Sequence, residues 1–277
     1  MSILALAAIL LAAYSLLLHW TGLRAELAES NLQANLIRVS NYLYEKPTSI
    51  ALVGSSVAGR LLPKYFQESE LEVQNLGLDG SCPLFAFEII RQRSALPRYI
   101  LVDTYSLFQP LSTNDETLRE AVDSPSFFAS KRLVAMRSSS RPSSILYSRL
   151  KQLKDNAGRG TIKSPESTLH QSTTQRTVFW NPRDQYPYVR SAIQDLQRNG
   201  VHVSLLVIPS GEGWGIPARG PERALADELK VLLIQPGPVL ATANKTMSFS
   251  DAIHLDSPSA KRVAEKICEI MQDSRSD

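Results

Sequence analysis

The run from Ile3 to Trp20 reads ILALAAILLAAYSLLLHW, carries no formal charge, and is interrupted only by Tyr14, Ser15 and His19. About 20 apolar residues suffice to cross the hydrocarbon of a bilayer as a helix. A soluble core helix seldom stays apolar on every face for so many turns. A cleavable leader would need a basic start and a small-x-small cleavage site, whereas only Met1-Ser2 precedes this run and Arg24-Ala25-Glu26-Leu27-Ala28 suits cleavage poorly. Residues 1–22 are therefore read as an uncleaved membrane anchor. Its orientation does not follow from charge, because Arg24, Glu26, Glu29 and Arg38 on one side oppose the α-amino group on the other.

Behind the anchor, residues 23–47 show helical spacing of Leu23, Leu27, Leu32, Leu36, Ile37, Tyr42 and Leu43, which predicts a helical stalk leading away from the membrane and ending at Lys46-Pro47. The remainder, 48–277, alternates between short apolar runs and helical patterns. Ile50 to Val53 meets a Gly-Ser-Ser turn and a helix; Leu71 to Leu76 meets a Gly/Asp/Ser turn and a helix over 84–96; Tyr99 to Val102 is a third buried run. Helices follow at 184–199, 221–233 and 258–272, with a strand over 201–208. Strands apolar on both faces and alternating with helices predict an α/β domain with a parallel sheet covered on both sides.

With 277 residues, 43% of them hydrophobic, the chain is too apolar for disorder and long enough for one large domain with an appendage. Its two cysteines, Cys82 and Cys268, stand far apart and form no Cys-x-x-Cys or Cys/His cluster, so no metal site and no cofactor are expected. They suit either a disulfide or two buried thiols. The stretch 111–180 breaks the strand-helix rhythm and reads as a polar insertion. Between Lys131 and Lys163 it holds nine basic residues (Lys131, Arg132, Arg137, Arg141, Arg149, Lys151, Lys154, Arg159, Lys163) against the single acid Asp155. Such a face is either ordinary solvated surface or a surface for anionic lipid or an acidic polymer. Tyr147 is its only aromatic interleaving, so nucleic acid is not an expected partner.

Two groups of residues can carry chemistry. Gly54-Ser55-Ser56-Val57 lies where the first strand turns into a helix, a place where a serine hydroxyl reaches the carboxyl edge of the sheet. The same sequence also suits a plain helix N-cap. Asp251-Ala252-Ile253-His254 lies just before the last helix, for which Ser257 is the expected N-cap with Pro258 behind it. A carboxylate three residues ahead of an imidazole can accept one ring N–H and leave the other nitrogen to face a nucleophile. A local loop hydrogen bond is the simpler use of such a pair.

Together these groups resemble the SGNH (GDSL-like) hydrolase family, over roughly residues 48–110 and 184–272. The resemblance implies a flavodoxin-like three-layer α/β sandwich with a sheet order beginning 2-1-3. It assigns the nucleophile to Ser56, with Ser55 standing where Asp is usual, and the base and its orienting carboxylate to His254 and Asp251. Asn75-Leu76-Gly77-Leu78-Asp79-Gly80 resembles the second motif, which implies an oxyanion hole built from the N–H groups of Ser56 and Gly80. The third motif, Gly-x-Asn-Asp, is missing: the third strand runs into Asp103-Thr104-Tyr105-Ser106, which leaves Thr104 and Ser106 as candidate replacements for its donor. The chain also resembles the membrane-tethered branch of that family. This implies an extracytoplasmic, periplasmic domain acting on exported glycans beside a membrane-bound O-acyltransferase.

The expected function is thus a single-pass, membrane-anchored acyltransferase that moves an acyl group, acetyl first among them, between a donor and a glycan acceptor. The alternatives are a carbohydrate or lipid esterase of the same fold, and a non-catalytic assembly subunit. The loop Ser210-Gly211-Glu212-Gly213-Trp214-Gly215 suggests an aromatic flap in which Trp214 stacks on a sugar, or a plain surface loop. His19, His170 and His202 are read as non-catalytic.

Overall fold

Residues 50–53 and 100–102 form strands because these apolar runs are buried on both faces. A computed structural model describes residues 2–69, 71–157, 182–211, 214–215, 217–218, 220–243, 245–251 and 253–276. His170, Arg159, Lys163 and the rest of 158–181 lie outside the described residues. Five strands, β1 (Ile50–Gly54), β2 (Val73–Gly77), β3 (Tyr99–Asp103), β4 (His202–Leu206) and β5 (Leu232–Ile234), form one parallel sheet in the order β2-β1-β3-β4-β5. The fold class expected from the sequence holds, including the 2-1-3 start. Along β1 the side chains alternate between two cores, Ala51 and Val53 entering one while Ile50 and Leu52 enter the other.

The helices are numbered along the chain: α1 (Ile3–Thr21), α2 (Asn31–Tyr44), α3 (Ser56–Gly59), α4 (Pro83–Arg91), α5 (Thr113–Val122), α6 (Pro125–Ser130), α7 (Pro142–Ala157), α8 (Pro182–Arg198), α9 (Pro221–Leu229), α10 (Pro236–Thr242) and α11 (Ser257–Ser276). Residues of α2, α4, α8 and α9 fill the first core. Residues of α3, α10 and α11 fill the second, on the opposite face of the sheet. The result is three layers. The first turn of β1–α3, the end of β2 and the end of β3 share the carboxyl edge, at the switch point where the chain leaves β1 on one side and returns to it on the other.

Helix α1 is long and apolar enough to cross a membrane, and nearly all of its side chains are outside the protein core. Ser2 caps it by accepting the Ala5 N–H, and Gly22 ends it at φ +63°, where a glycine carries no steric penalty.

Three expectations about elements are corrected. The segment read as a stalk is α2, which packs on the domain: Val39 and Tyr42 are fully buried and join the first core. Its helical spacing is real, but the apolar stripe meets β2 and α5 rather than projecting from the membrane. The helix expected over 221–233 stops at Leu229, because Lys230 takes the left-handed conformation at φ 52° and returns its N–H to Ala226 O; the apolar Leu232–Ile234 then becomes β5. The N-cap of α11 is Asp256, not Ser257: its Oδ1 accepts the Ser259 N–H at 2.9 Å and its carbonyl accepts that of Ala260. A carboxylate reaches the N3 amide from one position earlier than the hydroxyl expected there.

Candidate active site

At the end of β1 two adjacent serines have different tasks. Ser55 is the N-cap of α3: its Oγ accepts the Val57 N–H at 3.3 Å and donates to Asp103 Oδ2 at 2.9 Å. Ser56, the first residue of α3, is half-buried, and its Oγ lies 2.8 Å from His254 Nε2. The simple N-cap reading and the nucleophile reading of this motif thus fall on different residues.

His254 is fixed by its own loop. Phe249 and Leu255 form an antiparallel bridge, and the His254 carbonyl accepts the Ser250 N–H at 2.8 Å. Asp251 closes the turn from within, its Oδ1 accepting the N–H groups of Ile253 and His254, each at 2.8 Å. Its Oδ2 stands 2.8 Å from His254 Nδ1. Burial disfavours the charged carboxyl, but these backbone donors and the imidazole outweigh it and hold Asp251 down at about 2. Ionised Asp251 favours a proton on Nδ1, which leaves the Nε2 lone pair toward Ser56.

The neighbouring loop presents Gly80. It lies in the turn closed by Ser81 N–H to Leu78 O, with φ +71°, and its N–H has no acceptor among the described residues. A side chain is excluded at Gly77 for another reason: a Cβ there would come within 2.3 Å of the Gly59 backbone nitrogen, so β2 and α3 touch backbone to backbone. Asn75, buried between them, donates to Ala58 O and Leu61 O at 2.9 and 2.7 Å and accepts the Gly77 N–H at 2.6 Å.

Several residues of this surround carry no motif that sequence reasoning used. Asn35 on α2 pairs with the Asp79 peptide in both directions, at 3.0 and 2.7 Å, and Arg38 reaches Gly77 O at 2.6 Å and Asp79 Oδ1 at 3.1 Å. Helix α2 thereby holds the Gly80 loop. Asn35 and Arg38, polar residues at i and i+3 on an amphipathic helix, were the available signal. Asn114 near the start of α5 also reaches this loop, its Nδ2 lying 3.4 Å from Gly80 O.

Asp103 is completely buried beneath Ser55. Burial raises its carboxyl to about 6, against the opposing pull of the Tyr105 N–H and of the Ser55 hydroxyl and N–H. Of the two candidates for the missing donor, Ser106 is buried and donates to Ser81 O at 3.4 Å, while Thr104 is buried with its N–H on Leu206 O. Trp214 is half-buried against the second core, and a Cβ on Gly237 would meet its carbonyl oxygen at 2.2 Å. Cys82 and Cys268 are free, buried thiols; burial and the Asp115 charge push Cys82 up to about 11.

Fold and site together describe a parallel α/β protein with a serine, an imidazole and a carboxylate in hydrogen-bonded sequence at the carboxyl edge of its sheet. No family model and no curated protein matches the chain. Among solved structures it is similar to an acetyl xylan esterase, at 14% identity and a TM-score of 0.39, over 80% of this chain and 98% of that one.

Proposed function

We propose that the chain is a membrane-anchored, serine-dependent acyl-transfer enzyme that moves acetyl to or from carbohydrate hydroxyls on the extracytoplasmic side of the membrane. One observation carries this reading: the unbroken line Ser56 Oγ, His254 Nε2, His254 Nδ1, Asp251 Oδ2, with both gaps at 2.8 Å. Hydrogen bonds of that length between a weak nucleophile, a base and an orienting carboxylate are what acyl transfer requires.

In the proposed cycle His254 Nε2 takes the Ser56 proton as Oγ adds to the acyl carbonyl. The N–H groups of Ser56 and Gly80 receive the oxyanion. Ser56 opens α3, so its N–H precedes the helix's own acceptors. The imidazolium then protonates the departing oxygen and leaves acetyl-Ser56. A sugar hydroxyl, deprotonated by His254, attacks that ester and regenerates the serine. Anchoring beside a membrane-bound O-acyltransferase would supply the donor side of the exchange.

Hydrolysis is the second reading, because Asp251 and Gly80 lie exposed and water can reach the same acyl-serine. The two separate by acceptor: a sugar raises turnover of a small acetyl ester in a transferase and leaves it unchanged in an esterase. Intact mass after exposure to p-nitrophenyl acetate and an acid quench tests the shared step. The expected result is one acetyl adduct on Ser56 that Ser56→Ala loses. An adduct that persists in that variant, or none in the wild-type chain, rejects the mechanism.

A further inference from the structure

Helix α7 is built the wrong way round for water. Its packed face is serine and its outer face leucine: Ser144 and Ser148 are 0% and 2% exposed, whereas Leu146, Leu150 and Leu153 are 60%, 57% and 64% exposed. At about 100° per residue these leucines fall on one stripe opposite the two serines. The serines are occupied inward. Ser144 donates to Glu29 Oε2 at 2.9 Å, and Ser148 Oγ accepts the Glu26 N–H at 3.3 Å. The face of α7 against the protein therefore meets the segment that directly follows α1, and its apolar face is left without a partner among the described residues.

The same region grips α1. The Tyr14 hydroxyl donates to Ser140 O, Leu18 is buried, Ala25 N–H donates to Ser139 O at 2.7 Å, and residues 134–136 pack along the helix. This grip sets a depth. A helix of 19 residues is roughly 28 Å long, about the thickness of the hydrocarbon, so nearly all of it is needed to cross. Its last two turns, from Tyr14 on, are nevertheless in contact with 134–140. A surface touching the final 10 Å or so of a spanning helix lies at the level of the lipid headgroups and upper acyl chains. Phe128, Leu133 and Met136, on the same segment, are exposed, as are the cations Lys131, Arg132, Arg141 and Arg149. Arg137 is the exception: its Nε donates to Ser130 O at 3.1 Å and its guanidinium stacks over Tyr44, so it faces inward.

We infer that residues 128–153 form a collar that lies in the membrane interface around the base of α1, its leucines among acyl chains and its cations at anionic phospholipid headgroups. Apolar side chains exposed on the outer face, cations beside them and continuity with a helix of spanning length all favour a bilayer as the occupant. This gives the basic insertion a lipid partner rather than an acidic polymer. It also fixes the domain against the membrane instead of letting it swing from a tether. The inference rests on α1 crossing the membrane and is independent of the acyl chemistry at Ser56.

The test uses the full-length chain in vesicles of phosphatidylcholine and phosphatidylglycerol, labelled with an environment-sensitive fluorophore at one introduced cysteine. Leu10→Cys reports α1, Leu150→Cys and Leu146→Cys report the collar, and Asp227→Cys on α9, at the far edge of the sheet, reports water. Labels at 146 and 150 are expected to shift to the blue, to lose emission to nitroxide-bearing lipid and to resist iodide, as the label at 10 does. Lys131→Glu/Arg132→Glu/Arg149→Glu in the Leu150→Cys background should reduce that shift toward the value in phosphatidylcholine alone. Lipid quenching at 10 with iodide quenching at 146 and 150 overturns the collar while sparing the anchor. Labels at 146 and 150 quenched by neither agent, with crosslinking between copies, assign the face to a second copy and also overturn it.

Discussion

Two serines one bond apart separate structure from chemistry. Ser55 caps α3 and leans on Asp103, while Ser56 faces His254. Ser56→Ala is expected to reduce turnover of a small acetyl ester by about 10⁴-fold or more and to leave thermal unfolding nearly unchanged. Asp251→Asn should reduce it by about 10⁴-fold, because an amide can hold the wrong imidazole tautomer. Asp103 gives a pH signature. Its carboxyl stands near 6 in the folded chain against an ordinary 3.8, so between those values the folded state binds more protons than the unfolded one. Stability from this group is greatest below 3.8, falls as pH rises toward 6, and is level above that. Asp103→Asn, which keeps an acceptor for Ser55, should flatten that slope in thermal unfolding of the detergent-solubilised chain measured from pH 4 to 6. An unchanged slope would mean that Asp103 is ionised at its ordinary value.

Among the elements, β1 and β3 were legible because burial on both faces leaves an uninterrupted apolar run, while β2, interrupted by Gln74 and Asn75, was legible from the Gly/Asp/Ser turn that follows it. Helix α2 was legible as a helix and misplaced as a stalk. Periodicity reveals an apolar stripe but does not name what covers it. Leu36→Ala on α2 discriminates: its side chain belongs to the first core, so the change should cost about 2–5 kcal/mol, whereas a free stalk would leave the unfolding midpoint unmoved. The Gly80 turn makes a different demand. A side chain at φ +71° is strained by about 1–2 kcal/mol, and a Cβ there would sit 2.6 Å from Asn114 Nδ2, the movable end of a side chain. Gly80→Ala should therefore fold, yet lose about 10²-fold in ester turnover as its N–H shifts. Retained turnover would remove Gly80 from the oxyanion site.

On the scale of the molecule, the sheet edge that carries Ser56 and the apolar helix α1 are joined through α2 and residues 134–140. Helix α2 supports the Gly80 loop on one side and meets 138–140 on the other, and 134–140 in turn hold α1. The site is thus connected to α1 by packed structure rather than by a loose linker. The full-length chain is expected in the membrane fraction and should resist alkaline carbonate extraction. Recovery as a soluble monomer without detergent would remove the anchor and the collar together.

The features legible in the sequence are those written in neighbouring residues. The uncharged run of α1, the first three strands in their order, and the pairing of Asp251 with His254 three positions apart follow from local spacing, whereas β5 and the helices within 111–157 did not. Residues brought together from a distance were decided by the tertiary structure. Ser56 and His254 are 198 positions apart and meet only because both ends of the domain converge on one sheet edge. Asp103 reaches Ser55 only because β3 lies beside β1. The same holds for α7, which lies within the stretch read as a polar insertion: Leu146, Leu150 and Leu153 form one stripe of this helix. Only the packed serines opposite it show that this stripe points away from the protein, because hydrophobic spacing specifies that a face must be covered and not whether protein or lipid covers it.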